Sequence, residues 1–166
     1  MISEAPPAVH SDYYYKNKNG AFFNSTRIAF SDAGISVSTY DDITHLKIYL
    51  TTAIKCSKKD YLVSANTIKA CSKILEQELD QFPKIKVIMC MGDFAIKAIN
   101  YISKRKYNKN AIPPGSTYKI RKGIYVLNGI RYFPSYTQTV ASFDMEKSKR
   151  RMIAGDIKTA MSIIQK

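Results

Sequence analysis

The sequence contains no long run of apolar residues, which argues against a helical membrane protein. Its longest uninterrupted apolar run is VIMCM, Val87 to Met91, whereas a membrane-spanning helix needs about 20 such residues. No signal peptide is visible either, because the N-terminus lacks a basic segment followed by an apolar one. We therefore expect a cytoplasmic protein that does not enter a membrane.

Cysteines are few and do not form a recognisable metal or redox motif. There are three, Cys56, Cys71 and Cys90, an odd number with no CxxC pair. An odd number of cysteines without a CxxC pair is typical of a cytoplasmic protein whose thiols are reduced.

Acidic residues are scarce relative to basic ones. The chain has 13 Asp and Glu against 26 Lys and Arg, a formal net charge of +13. A domain this basic attracts polyanions, of which nucleic acid is the commonest. A surface adapted for solubility, or the bias of a lysine-rich proteome, explains the same excess.

Internal repeats and low-complexity tracts are also lacking. The length of 166 residues and the 45% content of hydrophobic residues fit a single domain, residues 1–166, with an ordinary core. In the first half, SDYYYKNKNGAFF (11–23) predicts a surface loop. NSTRIAFSDAGI predicts a short helix capped by Asn24 or Ser25 and ended at Gly34. LKIYLTTAI, Leu46 to Ile54, predicts a strand.

The clearest helix comes next, with Ser64 or Asn66 as its cap and Pro83 as its end. Apolar residues recur along it at spacings of three and four: Ile68, Cys71, Ile74, Leu75, Leu79 and Phe82. KVIMCM then predicts a buried parallel strand. GDFAIKAINYI predicts a helix that follows Gly92. GIYVLNGIRYFPSY predicts a strand or hairpin around Asn128-Gly129, and Met145 to Ile164 a final helix.

This alternation of strands and helices predicts a three-layer α/β/α sandwich with a mainly parallel central sheet. Ligands bind such sheets at the carboxyl ends of the strands. The candidate site loops are therefore those that follow Ser3, Thr51, Met91 and Pro134.

Six segments in these loops and their flanking elements resemble, in order, motifs of the uracil-DNA glycosylase superfamily, most closely its bacterial and archaeal family 4. They are SEAPP (3–7, family GEAPG), AFFN (21–24, PFVG), YLTTAIKC (49–56, YITNVVKC), VIMCMGDFAIKAI (87–99), PSYTQT (134–139, PTYHPS) and KRRMIAGDIKTAM (149–161). The resemblance covers almost the whole chain. It implies hydrolysis of the N-glycosidic bond of uracil or another damaged base that is flipped out of DNA during repair.

The resemblance also implies roles for individual side chains. Glu4 is the candidate catalytic carboxylate, which would stabilise the positive charge that develops on the sugar; alternatively it accepts backbone N–H groups in its own turn. Asp12 is a second candidate that would support Glu4, or a residue of a surface loop. Phe22 would stack on the flipped base, or is an ordinary core residue.

Two positions depart from the family motif in the base pocket. Thr52 replaces the family's Asn and Thr137 replaces its His. An Asn side chain offers a donor and an acceptor in one plane, whereas a Thr has a single rotating hydroxyl. We expect base contacts from both threonines but weak or absent activity on uracil.

The partner implied is DNA, single- or double-stranded, and we expect a monomer. Candidate DNA-backbone contacts are Gly92 at a helix N-terminus, the late-loop residues Ser135, Tyr136, Gln138 and Thr139, and the basic run Lys147, Lys149, Arg150 and Arg151. A solvated helix face explains the basic run equally well.

The resemblance raises the question of a metal, because family 4 enzymes hold an iron–sulfur cluster with four cysteines. Cys56 and Cys71 match two of these positions and the other two are absent. Two thiols do not complete the four-thiolate shell that such clusters usually need. We therefore predict no metal and no other cofactor.

The strand that ends at SEAPP is central in the superfamily fold, yet only Met1 to Ser3 precede the motif. Since strands commonly have about five or six residues, we expect that the natural protein starts upstream or that a neighbouring segment compensates. Two alternative functions stay open: a non-catalytic nucleic-acid-binding protein that kept the fold, and a hydrolase or sensor of a free modified nucleoside. The basic excess favours polymer partners over the last of these.

Overall fold

Five short strands form one mixed sheet with helices on both of its faces. The structure, a computed structural model, describes residues 1–17, 19–56, 63–139, 143 and 145–165. The strands are β1 (Ile2–Ser3), β2 (Thr51–Thr52), β3 (Val87–Met91), β4 (Tyr125–Leu127) and β5 (Ile130–Ser135). The helices are α1 (Ala21–Asp32), α2 (Tyr40–His45), α3 (Ala65–Asp80), α4 (Asp93–Tyr107), α5 (Thr117–Ile120) and α6 (Lys147–Ile164), with a 3-10 turn at His10–Asp12.

The strand order is β2-β1-β3-β5-β4, and only the β4–β5 hairpin is antiparallel. β1 lies inside the sheet, where Ile2 is opposite Thr51 on one side and Cys90 on the other. The hairpin turns at Asn128 and Gly129, whose φ angles of 51° and 76° are those of the left-handed turn that suits a hairpin. The predicted α/β class and mainly parallel sheet are confirmed.

Two buried apolar clusters lie on opposite faces of the sheet. One joins the sheet to α3 and α4 through residues such as Ile68, Leu75 and Ile99. The other joins it to α1 and α6 through residues such as Phe30 and Ile157. The alternation along β3 explains the arrangement, because Ile88 and Cys90 belong to the first cluster and Met89 and Met91 to the second. The chain therefore has the three layers that its pattern predicts.

The predicted strand Leu46–Ile54 is wrong over most of its length. Thr39 caps α2 in a capping box with Asp42, and Lys47 has a positive φ of 60° directly after that helix. Ladder pairing is confined to Thr51–Thr52. The helix cap and the turn thus override the strand preference of the β-branched residues.

Segment 11–23 is not simply a surface loop. Tyr14 is buried, and α1 already begins at Ala21, three residues before the predicted cap Asn24; Lys18 lies outside the described residues. In α3, Ser64 accepts the N–H of Thr67 as the predicted cap. Two residues of the predicted apolar face, Ile74 and Phe82, are instead exposed.

The predicted helices after Gly92 and over 145–164 are confirmed as α4 and α6. The connection between α4 and β4 contains the short helix α5, which the sequence analysis did not predict. No helix among the described residues is long and apolar enough to cross a membrane.

Candidate active site at the carboxyl edge of the sheet

The carboxyl ends of β1 and β3 lie side by side at the centre of the sheet. From β1 the chain proceeds to β2 on one side, and then crosses to β3 on the other side of β1. Such a reversal of strand order opens a crevice between the two neighbouring loops, where α/β proteins bind their ligands. Glu4 follows β1 and Gly92 follows β3, so both residues lie at this point.

Glu4 is held against the N-terminus of α4. The Phe94 N–H donates to Oε1 of Glu4 over 3.3 Å. Gly92 has a φ of 103° and packs so closely that a Cβ built on it would lie 2.6 Å from the same oxygen. The positive end of a helix stabilises a carboxylate, and Gly92 is required here both for its backbone conformation and for the space that Glu4 occupies.

This contact bears on the role predicted for Gly92 as a phosphate site. One N–H of the α4 terminus, that of Phe94, already donates to Glu4. Asp93 in the same turn accepts a hydrogen bond from Thr117 Oγ1 over 3.3 Å. A DNA phosphate would therefore meet two carboxylates at this terminus.

A buried polar cluster ties the late loop to β1 and α1. The hydroxyls of Ser3 and Tyr14 are 2.5 Å apart. Nε2 of Gln138 lies 3.2–3.3 Å from the hydroxyl oxygens of Ser3, Tyr14 and Thr26. Burial raises the pKa of the Tyr14 hydroxyl. Oε1 of Gln138 has no hydrogen-bond partner among the described residues.

Gln138 was predicted to contact DNA, but its side chain is 0% exposed and anchors the loop from inside. Ser3, Tyr14 and Thr26, which complete the cluster, were not predicted as site residues. Hydroxyl residues scattered along the chain form no periodic pattern that would predict such a cluster. Only Ser3 could have been suspected from the sequence, because it stands next to Glu4 in the SEAPP motif.

Ser135 is also buried and takes part in a second polar network. Its hydroxyl donates to Oδ2 of Asp156 over 2.6 Å, and NH2 of Arg121 donates to Oδ1 over 2.6 Å. Burial raises the pKa of the Asp156 carboxyl, and the bonds from Ser135 and Arg121 act in the opposite direction. In this conformation Ser135 fixes the end of β5 to α6 and is not exposed for a DNA contact.

The two threonines of the predicted base pocket both have partners within the chain. Thr52 is 1% exposed, and its hydroxyl donates to the Ile54 carbonyl over 2.8 Å. Oγ1 of Thr137 lies 3.2 Å from Oγ1 of Thr139 and accepts the Thr139 N–H over 3.4 Å. Thr139, predicted as a DNA contact, is thus part of a local turn with Thr137.

Phe22 lies in an aromatic group with Tyr13 and Tyr14. Its ring meets that of Tyr14 edge-on at 5.4 Å and lies 6.4 Å from that of Tyr13. Phe22 is 8% exposed, so little of its ring is accessible to a base in this arrangement. Burial raises the pKa of the Tyr13 hydroxyl, and the neighbouring Thr52 hydroxyl opposes this rise.

Asp12 ends the 3-10 turn and is half-buried. The turn is closed by the Asp12 N–H, which donates to the Val9 carbonyl over 3.0 Å. The backbone of this turn packs on Gly20, where a Cβ would lie 3.1 Å from the Asp12 carbonyl oxygen. Asp12 therefore joins the SEAPP loop to the start of α1.

The basic run at the start of α6 divides into paired and unpaired cations. Arg150 makes two 2.8 Å bonds to the carboxylate of Asp32. Lys149 pairs with Glu146 and lies over the ring of Tyr136 at 5.7 Å. Lys147 and Arg151 are exposed and have no acidic partner in the part of the chain that the structure describes.

Lys147, Arg150 and Arg151 line a surface depression of about 590 Å³ between α1 and α6, together with Asp32, Gly34 and Lys158. Lys158 lies on the same face of α6 and was not predicted, because it stands apart from the basic run in the sequence. The face of α6 that lines this depression therefore carries four basic side chains, those of Lys147, Arg150, Arg151 and Lys158.

The three cysteines lie in different surroundings. Cys56 is exposed, Cys71 is buried and accepts the Lys55 N–H over 3.5 Å, and Cys90 is buried within β3. Burial raises the pKa of the Cys90 thiol to about 12. No group of three His, Cys, Asp or Glu side chains that could hold a metal ion occurs among the described residues. The residues present do not fit a four-cysteine cluster.

Comparisons with known proteins agree with the motifs. A family model described as the uracil DNA glycosylase superfamily matches residues 1–157. A type-5 uracil-DNA glycosylase from Thermus thermophilus is 27% identical over 101 residues. That match covers 60% of this chain and 45% of the relative, so the chain spans less than half the length of that protein.

Proposed function

Because the chain belongs to the uracil DNA glycosylase superfamily, we propose that it is a DNA glycosylase-like hydrolase. It would cleave the N-glycosidic bond of uracil or another damaged base that is flipped out of DNA. The single observation that carries this proposal is the position of Glu4. Its carboxylate lies beside the N-terminus of α4, where the strand order reverses, and is held by the Phe94 N–H and by the close approach of Gly92.

The proposed chemistry is a hydrolysis with Glu4 as its electrostatic centre. The electron pair of the C1′–N bond leaves with the base, and positive charge develops on the sugar ring. A preorganised carboxylate stabilises that charge at little cost of reorganisation. Water then adds to C1′ and loses a proton to the carboxylate or to solvent. Asp12 would support Glu4 from the adjoining turn.

Within the superfamily we propose a family 4-like protein with an altered base pocket. The support is motif similarity alone, and the relative from Thermus thermophilus is named a type-5 enzyme. Thr52 and Thr137 would contact the base, and Phe22 would be the stacking residue. We do not expect an iron–sulfur cluster, since only Cys56 and Cys71 match its ligands.

We propose DNA as the partner of one 166-residue domain that acts as a monomer in the cytoplasm. Lys147 and Arg151, which have no acidic partner among the described residues, would supply charge for phosphate contacts together with Lys158 on the same helix face. Tyr136 and Thr139 would add contacts at the edge of the late loop. Lys149 and Arg150 are already engaged with acidic side chains and would contribute less.

A second candidate is a protein that binds nucleic acid without cleaving it. The observation that favours it is the engagement of both base-pocket threonines within the chain. A Thr hydroxyl has one proton, and that of Thr52 is donated to Ile54. Thr52 can therefore accept a hydrogen bond from a base but cannot also donate one.

A single-turnover assay on a panel of oligonucleotides separates the two candidates. Each oligonucleotide carries one modified base, in single-stranded and duplex form, and the product measured is the abasic site. A glycosylase forms abasic sites from at least one member under protein excess. Tight binding across the panel with no abasic sites would favour the non-catalytic candidate.

A further inference from the structure

A long stretch in the second half of the chain contains basic residues and no acidic one. Residues 94–143 include nine Lys and Arg but no Asp or Glu. Two of these cations, Lys119 and Lys122, are exposed and have no acidic partner among the described residues. They lie in residues 116–124, which we call the α5 segment because it contains α5. The α5 segment therefore presents positive charge to solvent.

An exposed aromatic ring lies next to these charges in the chain. Tyr118 is 71% exposed. Thr117 and Ile120 of the same helix are buried, so α5 directs Tyr118 and Lys119 to solvent. The Tyr118 side chain makes no hydrogen bond or ring contact within the described part of the chain. Single-stranded nucleic acid binds to such combinations, because its bases stack on aromatic rings and its phosphates pair with nearby cations.

The α5 segment is attached to the edge of the sheet that carries Glu4. Oγ1 of Thr117 donates to the Asp93 carboxylate over 3.3 Å. Asp93 is the first residue of α4 and precedes Phe94, whose N–H donates to Glu4. One hydrogen bond thus connects the start of α5 to the helix terminus that holds the candidate catalytic carboxylate.

A second attachment lies at the end of α5. NH2 of Arg121, the residue that follows the helix, donates to the Asp156 carboxylate over 2.6 Å. The same carboxylate accepts a hydrogen bond from Ser135, the last residue of β5. The α5 segment is therefore fixed at both ends of its helix to the carboxyl edge of the sheet, which holds Tyr118 beside the candidate active site.

We propose that the α5 segment binds the single-stranded DNA next to the flipped base, with Tyr118 stacked on a neighbouring base and Lys119 and Lys122 against phosphates. This inference rests on DNA as the partner in the proposed function, and it adds a contact outside the motifs of the sequence. In duplex DNA the bases stack on one another, so Tyr118 contributes most to binding of a single strand. An acidic peptide would satisfy the two lysines, but the attachment of α5 beside Glu4 favours DNA.

The first test places a fluorescent reporter in the α5 segment. The chain contains no Trp, so Tyr118→Trp introduces a single indole and keeps an aromatic ring at this position. A base that stacks on the indole quenches its fluorescence, and a short single-stranded oligothymidylate should therefore give saturable quenching. The control is Phe82→Trp, at a 40% exposed position that precedes β3 at the amino edge of the sheet. Its fluorescence should stay unchanged.

The second test separates stacking from other roles of Tyr118. Tyr118→Ala should weaken binding of the oligothymidylate at least about fivefold, because it removes one stacking contact. Tyr118→Phe keeps the ring and should stay within about twofold of the unaltered protein. Fluorescence anisotropy with labelled DNA measures both affinities, and the loss in the Ala variant should be smaller for a duplex.

The third test concerns the lysines. Lys119→Gln with Lys122→Gln should reduce the slope of log affinity against log salt by about one to one and a half, since each phosphate contact with a single strand contributes about 0.7. Lys84→Gln with Lys86→Gln, two exposed lysines at the amino edge, is the control of equal charge and should leave the slope nearly unchanged.

The outcomes distinguish this proposal from the glycosylase activity, because oligothymidylate contains no damaged base. Quenching of the Trp at position 118 without abasic sites on the modified oligonucleotides would support the α5 contact and reject the activity. Base excision without quenching would overturn the α5 contact alone. Equal affinities of the Ala and Phe variants, or equal slopes of the two lysine variants, would also overturn it. So would equally strong quenching by a polyglutamate peptide, since the occupant would then be an acidic segment.

Discussion

The hydroxyls of Thr52 and Thr137 are engaged within the chain at the two positions where the glycosylase motif has Asn and His. Thr52 donates to the Ile54 carbonyl, and Thr137 accepts the Thr139 N–H. The one hydroxyl proton of Thr52 is thus donated within the chain, and neither threonine offers a donor held in the plane of a base as an amide or an imidazole does. Sites that hydrogen-bond a polar edge discriminate by about four to five orders of magnitude when a partner is lost.

Thr52→Asn combined with Thr137→His should therefore raise uracil excision from single-stranded DNA by at least about tenfold, since a positioned catalytic group contributes roughly 10²–10⁴-fold. The measurement is the single-turnover rate of abasic-site formation. Glu4→Gln added to this double variant should abolish the gain.

Thr44→His is the control for this double variant, because Thr44 is exposed on α2 and is not among the candidate site residues. It should leave excision unchanged. Efficient excision of uracil by the unaltered protein would contradict the account of the pocket. So would a folded, DNA-bound double variant with no gain.

Some residues of the candidate site could be predicted from the sequence and others could not. Glu4, Phe22, Thr52 and Thr137 could be named because they stand in short ordered motifs. Their surroundings could not: the contact between Glu4 and α4 joins residues 90 positions apart. The cluster of Ser3, Tyr14, Thr26 and Gln138 likewise forms only after the late loop folds back on β1.

Among the secondary-structure elements, α6 is attached to the sheet by its apolar face and, in addition, by one buried ion pair to the residue that follows α5. Asp156 accepts from Ser135 and Arg121, and both partners of the ion pair are largely buried. The Asp32–Arg150 pair on the same helix is more exposed. The two pairs allow the contributions of a buried and a more exposed ion pair to the free energy of unfolding to be compared on one helix.

Asp156→Ala should lower the free energy of unfolding by about 3–5 kcal/mol, because it leaves Arg121 buried without a counter-charge. Asp32→Ala, the matched control, should cost about 1 kcal/mol or less, as exposed pairs do. Urea denaturation of both variants at neutral pH measures the difference. Equal costs would show that the buried network does not hold α6 in place.

The long periodic elements could be predicted, and the short ones could not. α3, α4, α6, β3 and the hairpin at Asn128-Gly129 each have a strong local signal, which is an apolar period or a left-handed turn. β2 contributes only Thr51–Thr52 to the ladder, because the capping box of Thr39 and Asp42 forms α2 directly before it. Side-chain hydrogen bonds of this kind leave no trace in the hydrophobic pattern, so that pattern does not predict the short elements.

At the scale of the whole molecule, the net charge of +13 predicts salt-dependent DNA binding. Each phosphate contact contributes about 0.9 to the slope of log affinity against log salt for duplex DNA. Replacing Lys147, Arg151 and Lys158 with Gln should therefore reduce that slope by about two to three. Fluorescence anisotropy over a salt titration measures it.

The control for the salt titration is the triple Gln variant of Lys47, Lys84 and Lys86, which lie at the opposite edge of the sheet. It removes the same charge and should leave the slope nearly unchanged. Equal loss of slope in both triple variants would mean that net charge, and not the α6 face, determines DNA binding.

The most direct test of the central claim, that Glu4 is the catalytic carboxylate, is its conservative replacement by Gln. Single-turnover excision is measured on the oligonucleotide of the panel that the unaltered protein cleaves fastest, with DNA affinity and melting temperature recorded in parallel. If Glu4 is the catalytic carboxylate, Glu4→Gln lowers the rate by about 10²–10⁴-fold while DNA affinity stays within about twofold, and Asp12→Asn has a smaller effect. A folded Glu4→Gln variant that excises the base as fast as the unaltered protein would contradict it.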